Sequence, residues 1–160
     1  MDALVPDADY DLILEAALEQ ARLALQAGEV PIGAAIAREG RVIAAAHNRR
    51  LLDADPTAHA EMLAIRQAAA AIGDWRLTDC TLAVTLEPCC MCAGAIVLAR
   101  IPRLIYGAAD PKAGAVDTLY RLCSDSRLNH QVEVIAGLRA AECGQLLTDF
   151  FRQQRAMGKK

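Results

Sequence analysis

The segments Thr57-Ala58-His59-Ala60-Glu61 and Glu87-Pro88-Cys89-Cys90-Met91-Cys92 are the stretches around which the rest of this chain is organised. His59, Cys89 and Cys92 offer one nitrogen and two sulfur ligands, a set that suits zinc and leaves the fourth tetrahedral position open for water. A carboxylate lies two residues after the histidine, close enough to carry protons to and from such a water. The two segments together predict a hydrolytic zinc centre.

Each half of this pattern is ambiguous when it is taken alone. A His-x-Glu motif recurs by chance, and a Cys-x-x-Cys pair also marks redox motifs and structural zinc knuckles. Neither of those alternatives requires a carboxylate at Glu61, and a closed structural site would need a fourth Cys or His ligand. Cys90 is poorly placed to supply it, since on a helix it would point about 100 degrees away from its neighbours. The combination favours a catalytic site over a non-catalytic zinc or thiol-redox protein.

Local sequence explains how the two segments could converge. Thr81 to Leu86 is an apolar, β-branched run that predicts a buried strand. Pro88 then introduces a helix-compatible run from Cys89 to Arg100. Glu61 to Ala71 is rich in helix formers, with Thr57 as the expected cap. Both ligand segments are therefore expected at helix N-termini, where free backbone N–H groups and the helix dipole favour thiolate over thiol.

The remaining pattern predicts a three-layer α/β/α domain over residues 1–160, with a central mixed five-stranded sheet. Strands and helices alternate in the second half, which implies right-handed parallel crossovers beside an amino-terminal hairpin. The other predicted elements are a helix from Ala8 to Ala27, a hairpin of Val30 to Ala37 and Val42 to His47 with a Glu39-Gly40 turn, strands at Arg103 to Tyr106 and Val132 to Ile135, a short helix at Val116 to Cys123, and a closing helix from Ala140 to Gln154.

The composition describes a globular protein of 160 residues, 54% apolar and 4% aromatic. Met1 to Asp11 is acidic and lacks a basic region followed by an apolar core, so we expect no secretory signal. No apolar run is long enough to span a membrane. Six cysteines without such a signal favour a reducing cytoplasm, and we expect ordinary core or surface roles for Cys80, Cys123 and Cys143.

The formal net charge of −3 argues weakly against nucleic-acid binding, which rests on cations that neutralise phosphates. Charge is nevertheless distributed unevenly along the chain. The carboxyl terminus is basic, and this tail either binds an anionic partner or simply complements the dipole of a final helix. Its cations are Arg152, Arg155, Lys159 and Lys160.

Several stretches resemble the bacterial tRNA-specific adenosine deaminases, within the cytidine deaminase-like superfamily. The resemblance covers most of the chain and implies a homodimer with one zinc ion per subunit, which deaminates adenosine to inosine at the wobble position of a tRNA anticodon, with an arginine tRNA as the expected substrate. Its carboxyl-terminal part is the more informative one, because the zinc motif is shared with deaminases of free bases and nucleosides. The stretches are Pro31 to Ala34, Asp55 to Glu61, Val84 to Cys89, Met91 to Ala95, Asn129 to Val134 and Glu142 to Arg152.

The resemblance also implies a role for individual residues. His59, Cys89 and Cys92 match the metal ligands, and Glu61 matches the proton shuttle for hydrolytic attack at C6 of adenine. The remaining matches concern the substrate: an asparagine at the mouth of the pocket that hydrogen-bonds the target nucleotide, a loop beside the RNA, and a helix that supports the anticodon. These substrate-binding residues are Asn48, Ala108, Asp110, Phe150 and Arg152.

Other interpretations stay open on sequence grounds. Asn48 could be a turn residue after a strand, and at least one of Phe150 and Phe151 should anchor the last helix on the core. Asp117 places a negative charge in the loop that would lie near the RNA. A zinc-dependent deaminase of a free base or nucleoside, of the guanine or cytosine type, would use the same chemistry. A pocket sealed by the carboxyl-terminal segment would favour that alternative, and an open groove would oppose it.

Overall fold

The computed structural model describes residues 7–159. Most of Met1 to Asp11, on which the prediction of no secretory signal rests, and Lys160 of the basic tail lie outside the described residues. No helix between residues 7 and 159 is long and apolar enough to cross a membrane.

The described chain folds into four α-helices around a five-stranded sheet. The strands lie in the order β2-β1-β3-β4-β5, and β1 runs antiparallel to both β2 and β3, whereas β3, β4 and β5 are parallel. The predicted mixed sheet is confirmed. The elements are α1 (Asp7–Gln26), β1 (Gly33–Arg38), β2 (Arg41–His47), α2 (Ala60–Ile72), β3 (Cys80–Leu86), α3 (Cys90–Leu98), β4 (Arg103–Ala108), a 3-10 turn (Leu122–Ser124), β5 (Glu133–Ala136) and α4 (Ala140–Ala156).

The hairpin between β1 and β2 has the predicted two-residue turn. Glu39 and Gly40 have φ angles of 52° and 74°, the left-handed conformation at both central positions that a type I′ turn requires. This turn matches the right-handed twist of the strands, so it sets the register in which Arg38 faces Arg41.

Alternate strand residues point to opposite faces of the sheet, and each face is covered by helices. On one face, Leu14 and Ala17 of α1 pack with Ala35, Ala83 and Ile105. Burial of these side chains, each at or near complete, is the main stabilising contribution on this side.

The opposite face is covered by α2 and α3. Ala64 and Ile96 from these helices pack with Ala34, Leu82 and Leu104, the strand neighbours of the residues that face α1. Small side chains at the α2 contact let that helix approach the sheet closely. The α2 and α3 N-termini therefore lie on one side of the sheet, as the three-layer prediction requires.

Gly33 lets α1 cross β1 at very short range. A Cβ atom at this position would lie 1.9 Å from the Ala17 carbonyl oxygen and 2.5 Å from the Ala21 nitrogen, so any side chain would displace the helix. The contact holds the start of β1, and with it the preceding residues 30–32, against the body of the domain.

Ion pairs hold α4 beside α1. Arg139 contacts Glu15 at 2.6 Å, and Arg22 contacts Glu142 at 3.0 Å. Such partly exposed pairs each contribute little stability, on the order of 1 kcal/mol or less, but as a network they fix where α4 lies.

Two predicted helix starts are wrong in detail. The N-cap of α2 is His59 and not Thr57, whose hydroxyl instead donates to the Asp55 carboxylate at 2.7 Å. Similarly, α3 begins at Cys90 with Cys89 as its N-cap, and it ends at Leu98, before Arg100 turns into the left-handed region at φ 61°. In both segments the first metal-ligand candidate is therefore the capping residue itself.

The predicted short helix at Val116 to Cys123 is wrong. Residues 116–119 form turns, and one 3-10 turn follows at Leu122–Ser124. The physical reason is a long-range one, because the N–H groups of Val116, Asp117 and Thr118 all donate to the Glu87 side chain.

All six cysteines are free thiols. Cys80, Cys123 and Cys143, for which core or surface roles were both expected, are all buried, and burial raises their pKa values to about 11, 12 and 11. Cys90 is exposed. The buried three act as small apolar core residues that do not ionise near neutral pH.

Candidate metal centre and substrate cavity

His59, Cys89 and Cys92 bring three ligand atoms within 4.8 Å of one another. The distance from His59 Nδ1 to Cys89 Sγ is 3.7 Å, and that to Cys92 Sγ is 3.5 Å. Zinc bonds of about 2.0 Å to nitrogen and 2.3 Å to sulfur, at a tetrahedral angle, would place the two atoms about 3.5 Å apart. The group could therefore hold a metal ion, and its spacing and donor set fit zinc.

Helix N-termini supply the local electrostatics of this group. His59 caps α2 and Cys89 caps α3, so the two positive dipole ends converge on it. A hydrogen bond from Cys92 lowers the pKa of Cys89 to about 3, with a further contribution from His59. The same hydrogen bond between the two cysteines, together with burial, raises the pKa of Cys92. Cys89 thus carries the thiolate that a cation would meet first.

Glu61 lies on the first turn of α2, next to the ligand group. Its side chain is only 4% exposed, and burial raises the pKa of its carboxyl above the ordinary value. A buried carboxyl group that lies beside a metal site and has a raised pKa can act as an acid and as a base.

A cavity of about 830 Å³ opens from this group to the surface. In its lining Glu61 is buried and His59 and Cys89 are half-buried, while several other lining side chains are exposed, so the cavity is not sealed. The segments that line it are residues 30 and 32, 48 and 50, 59–61, 86–89, 108–113 and one face of α4.

Asn48, Ala108 and Asp110 line the cavity, whereas Phe150 and Arg152 do not. Phe150 is 8% exposed and packs in the domain, which agrees with the expectation that one phenylalanine anchors the last helix. Arg152 lies on the outer side, 3.7 Å from Asp149. The structure thus brings three of the five proposed substrate-binding residues to the site, and two point elsewhere.

The α4 residues that do line the cavity form one helical face. Gly144, Thr148, Phe151 and Arg155 are spaced four, three and four residues apart, the interval that returns to the same side of a helix. The family resemblance places Phe151 on the helix that supports the anticodon, whereas Gly144 and Thr148 have no role predicted from the sequence. The signal was present, because that spacing contrasts with the buried stripe to which Phe150 belongs.

Asn48 combines both roles considered for it. Its Oδ1 accepts a hydrogen bond from the Arg50 N–H at 3.2 Å, an Asx turn that fixes the side chain. Its Nδ2 is buried and, among the described residues, is the side-chain donor without a partner. A buried donor that lines a cavity and lacks a partner is available to a ligand.

Most of the charged groups in the cavity wall are distributed by depth. Arg50, Lys112 and Arg155 are exposed and Asp110 is half-buried, while Glu61 and Glu87 are buried. This gradient suits a polyanion at the rim and proton transfer deeper in the cavity.

Glu87 is the principal site residue to which the sequence analysis assigned no role. Its side chain is 2% exposed, and its carboxylate accepts hydrogen bonds from Thr118 and from the backbone of the 110–118 loop. Burial raises its pKa, but those hydrogen bonds lower it further, so the net shift is downward and the group is a carboxylate.

Comparison with known proteins supplies independent information on this site. A sequence profile of MafB19-like deaminases matches residues 8–155. The chain is 50% identical over 146 residues to a tRNA-specific adenosine deaminase of Streptococcus pyogenes. The aligned region covers 91% of this chain and 85% of the relative.

Solved structures give the same picture. A structure from a study of A-to-I editing by tRNA:A34 deaminases at the wobble position superposes with a TM-score of 0.82 and 48% identity, covering 86% of this chain and 99% of that one. A guanine deaminase from Bacillus subtilis matches less extensively, with a TM-score of 0.59 and 40% identity over 62% of this chain and 64% of that one.

Proposed function

This chain belongs to the MafB19-like deaminases and, among them, to the family of tRNA-specific adenosine deaminases, and from this membership we infer that it converts adenosine to inosine at the wobble position of a tRNA anticodon. The observation that carries the inference is 50% identity over 146 residues, which are 91% of the chain, together with a family profile that extends to residue 155 in α4. That extent matters because the metal motif alone would fit deaminases of other substrates.

We propose that His59, Cys89 and Cys92 hold one zinc ion per subunit. The nitrogen-to-sulfur distances of 3.7 and 3.5 Å support this, since they match a tetrahedral zinc site. When bound, zinc would lower the pKa of a water molecule towards neutrality and so supply the nucleophile for hydrolysis.

Glu61 is the proposed proton carrier. It accepts a proton from the attacking water as the C6–O bond forms, and it delivers that proton to the adjacent ring nitrogen. A second proton then passes from the new C6 hydroxyl, by way of Glu61, to the amino group, and the C6–N bond breaks as the C6 carbonyl forms and ammonia leaves. The burial of Glu61 and its raised pKa support this role, because the same carboxyl group must both take up and release protons.

The remaining cavity wall fits a nucleotide that is part of a polymer. Asn48 offers its unpartnered amide to the target nucleotide, and the Asp110 loop borders the opening. Phe151 is suited to stack on a splayed base, and Arg50 and Arg155 to contact phosphates. We propose that these three residues act together with Asn48, Ala108 and Asp110, and that Phe150 and Arg152 act at most through the position of α4.

The alternative, a deaminase of free guanine or cytosine, is disfavoured by the open cavity. Two residues of α4 that line the cavity, Phe151 and Arg155, are exposed to solvent. A small free base would leave the exposed cations Arg50, Lys112 and Arg155 without an anion to bind.

The first experiment is incubation of the zinc-loaded protein with an anticodon stem-loop of an arginine tRNA that carries adenosine at the wobble position. Mass analysis of the nucleosides should find inosine, and a matched stem-loop with guanosine at that position should give none. Free guanine, cytosine, cytidine and adenosine are run in parallel. Product from a free base, with an unchanged stem-loop, would contradict the RNA substrate while retaining the metal chemistry.

We further propose that the chain is a single domain over residues 1–160, that it acts as a homodimer, and that it is cytoplasmic, where mature tRNA substrates are found. The family resemblance supports the dimer, and several large apolar side chains are available to an interface. Light scattering during size-exclusion chromatography tests the dimer, and elemental analysis tests one zinc per subunit. The exposed apolar residues include Leu51, Leu52, Leu98, Leu119 and Tyr120.

A further inference from the structure

Residues 108–118 form a segment, here called the rim loop, that follows β4 and supplies one wall of the cavity. Six of its residues, 108–113, line the cavity. Within the rim loop there is no helix or strand after Ala108 that could hold its shape. Its conformation must therefore be fixed by contacts with other parts of the protein.

The Glu87 carboxylate supplies those contacts at both ends of the rim loop. Its Oε1 accepts hydrogen bonds from the Asp110 N–H at 3.1 Å and from the Thr118 hydroxyl. Its Oε2 accepts from the N–H groups of Val116, Asp117 and Thr118 at 3.1, 2.9 and 3.1 Å. One side chain thus satisfies four backbone donors and a hydroxyl that lie 23 to 31 residues away in sequence.

The middle of the rim loop also closes on this carboxylate. A Cβ atom on Gly114 would lie between 2.4 and 2.6 Å from the Glu87 carboxylate atoms, so the loop backbone passes directly over them. Two backbone hydrogen bonds strengthen the attachment: Glu87 N–H to the Ala108 carbonyl at 2.8 Å, and Ala115 N–H to the Pro88 carbonyl at 2.8 Å.

This arrangement links the ligand segment to the wall that borders the substrate. Glu87 lies two residues before Cys89, while the loop that it holds carries Asp110 and Lys112 at the cavity surface. The Glu87 carboxylate is surrounded by backbone amides of the rim loop and accepts their hydrogen bonds. Such a hydrogen-bonded network is rigid.

We propose that Glu87 is a positioning residue for substrate recognition: it holds the rim loop in the shape that binds the anticodon, without contacting the reacting atoms. This inference rests on the proposed tRNA substrate. Loss of the loop shape should weaken substrate binding but spare the chemical step, because the metal ligands and Glu61 stay in place.

Glu87→Gln is a sharp test because an amide cannot replace this carboxylate in either orientation. If the amide NH2 takes the place of Oε1, it faces the Asp110 N–H. If it takes the place of Oε2, it faces the N–H groups of residues 116–118. At least one backbone donor is then left unsatisfied and faces another donor. The matched control is Glu133→Gln, which removes a carboxylate that pairs with Arg103 at 3.1 Å on β5, away from the cavity.

The expected result for Glu87→Gln is a rise in KM for the stem-loop of about tenfold or more, with kcat within about threefold of wild type. Zinc content should stay at the wild-type value. Hydrogen exchange at the amides of residues 110 and 116–118 should speed up by about tenfold or more. Glu133→Gln should match the wild type in all of these measurements.

An unchanged KM in folded Glu87→Gln would overturn the proposal, and so would a loss of kcat accompanied by loss of zinc, which would place the effect at the metal site. If that variant does not fold, Thr118→Val decides, since it removes only the hydroxyl contact and should raise KM about threefold. If the wild type makes no inosine from the stem-loop, the tRNA function itself fails, and unchanged amide exchange in Glu87→Gln would then still overturn the anchoring role.

Discussion

The Asp117 carboxylate accepts a hydrogen bond of 2.6 Å from the Tyr106 hydroxyl. Tyr106 is buried on β4, so Asp117, although it is an exposed residue, is held to the sheet through one carboxylate oxygen. The cavity lining does not include Asp117. Its carboxylate therefore holds the end of the rim loop to the strand beneath it.

Tyr106→Phe should lower the free energy of unfolding by about 1 to 2 kcal/mol, because it removes a hydrogen bond to a charged acceptor. For a chain of this size the expected fall in Tm is about 2 to 5 °C. Calorimetry or chemical denaturation measures the effect. Tyr120→Phe is the matched control: Tyr120 is 56% exposed, so its loss of a hydroxyl should change stability by less than about 0.5 kcal/mol. Equal stability of both variants would show that the Tyr106 hydrogen bond contributes nothing.

Glu61→Gln should reduce deamination of the stem-loop by about a hundredfold or more, since general acid–base catalysis typically contributes that much. The amide keeps the size of the side chain but cannot carry protons. Zinc content should be unchanged, because the three proposed ligands are untouched. Steady-state kinetics with elemental analysis provide the measurement, and activity within tenfold of wild type would remove the assigned role.

The metal group and the sheet could be predicted from the sequence because their signals are local. One residue separates His59 from Glu61 and two separate Cys89 from Cys92, and each pair lies at the start of its own helix. The strand that precedes each helix is apolar enough to identify. The sequence therefore also predicts that the two helix N-termini meet at one edge of the sheet.

The rim loop could not be predicted, because its structure depends on a side chain 23 to 31 residues away. The rim loop is rich in small residues and has no periodic pattern, so nothing in its own sequence indicates that it contacts Glu87. The choice between neighbouring residues on α4 failed for a different reason. Phe150 and Phe151 differ by about 100 degrees around the helix, and which of them reaches the cavity depends on how α4 is held against α1 by Arg139 and Glu15.

Iodoacetamide should modify the cysteines in an order set by their environment. At pH 8 we expect Cys90 to react first because it is exposed. Cys80 and Cys123 should stay unmodified, since burial hinders access and raises their pKa values to about 11 and 12, so both remain thiols at this pH. Peptide mass mapping gives the order.

Removal of the metal should extend that set of reactive thiols. After treatment with a zinc chelator, Cys89 should become reactive as well, because its thiolate would no longer be bound to a cation. Re-addition of zinc should restore its protection, while Cys90 should react equally under all conditions. Labelling of Cys89 at the same rate before and after chelation would contradict its role as a ligand.

Binding of the stem-loop should weaken steeply with salt. Three exposed cations border the cavity, namely Arg50, Lys112 and Arg155. If each neutralises one phosphate of a single-stranded loop, a plot of log K against log salt concentration should have a slope of about −2. A flat response between low and moderate salt would argue against RNA as the ligand.

Single-site variants make this salt test specific. Arg155→Gln should reduce the steepness of the slope by about 0.7, the contribution of one phosphate contact to a single strand. Arg127→Gln is the matched control, because Arg127 has an 88% exposed side chain that pairs with Asp125 and lies outside the cavity lining. It makes the same change in net charge, so a general effect of charge would alter both slopes equally. A slope that changes only in Arg155→Gln would instead place a phosphate at the α4 wall of the cavity.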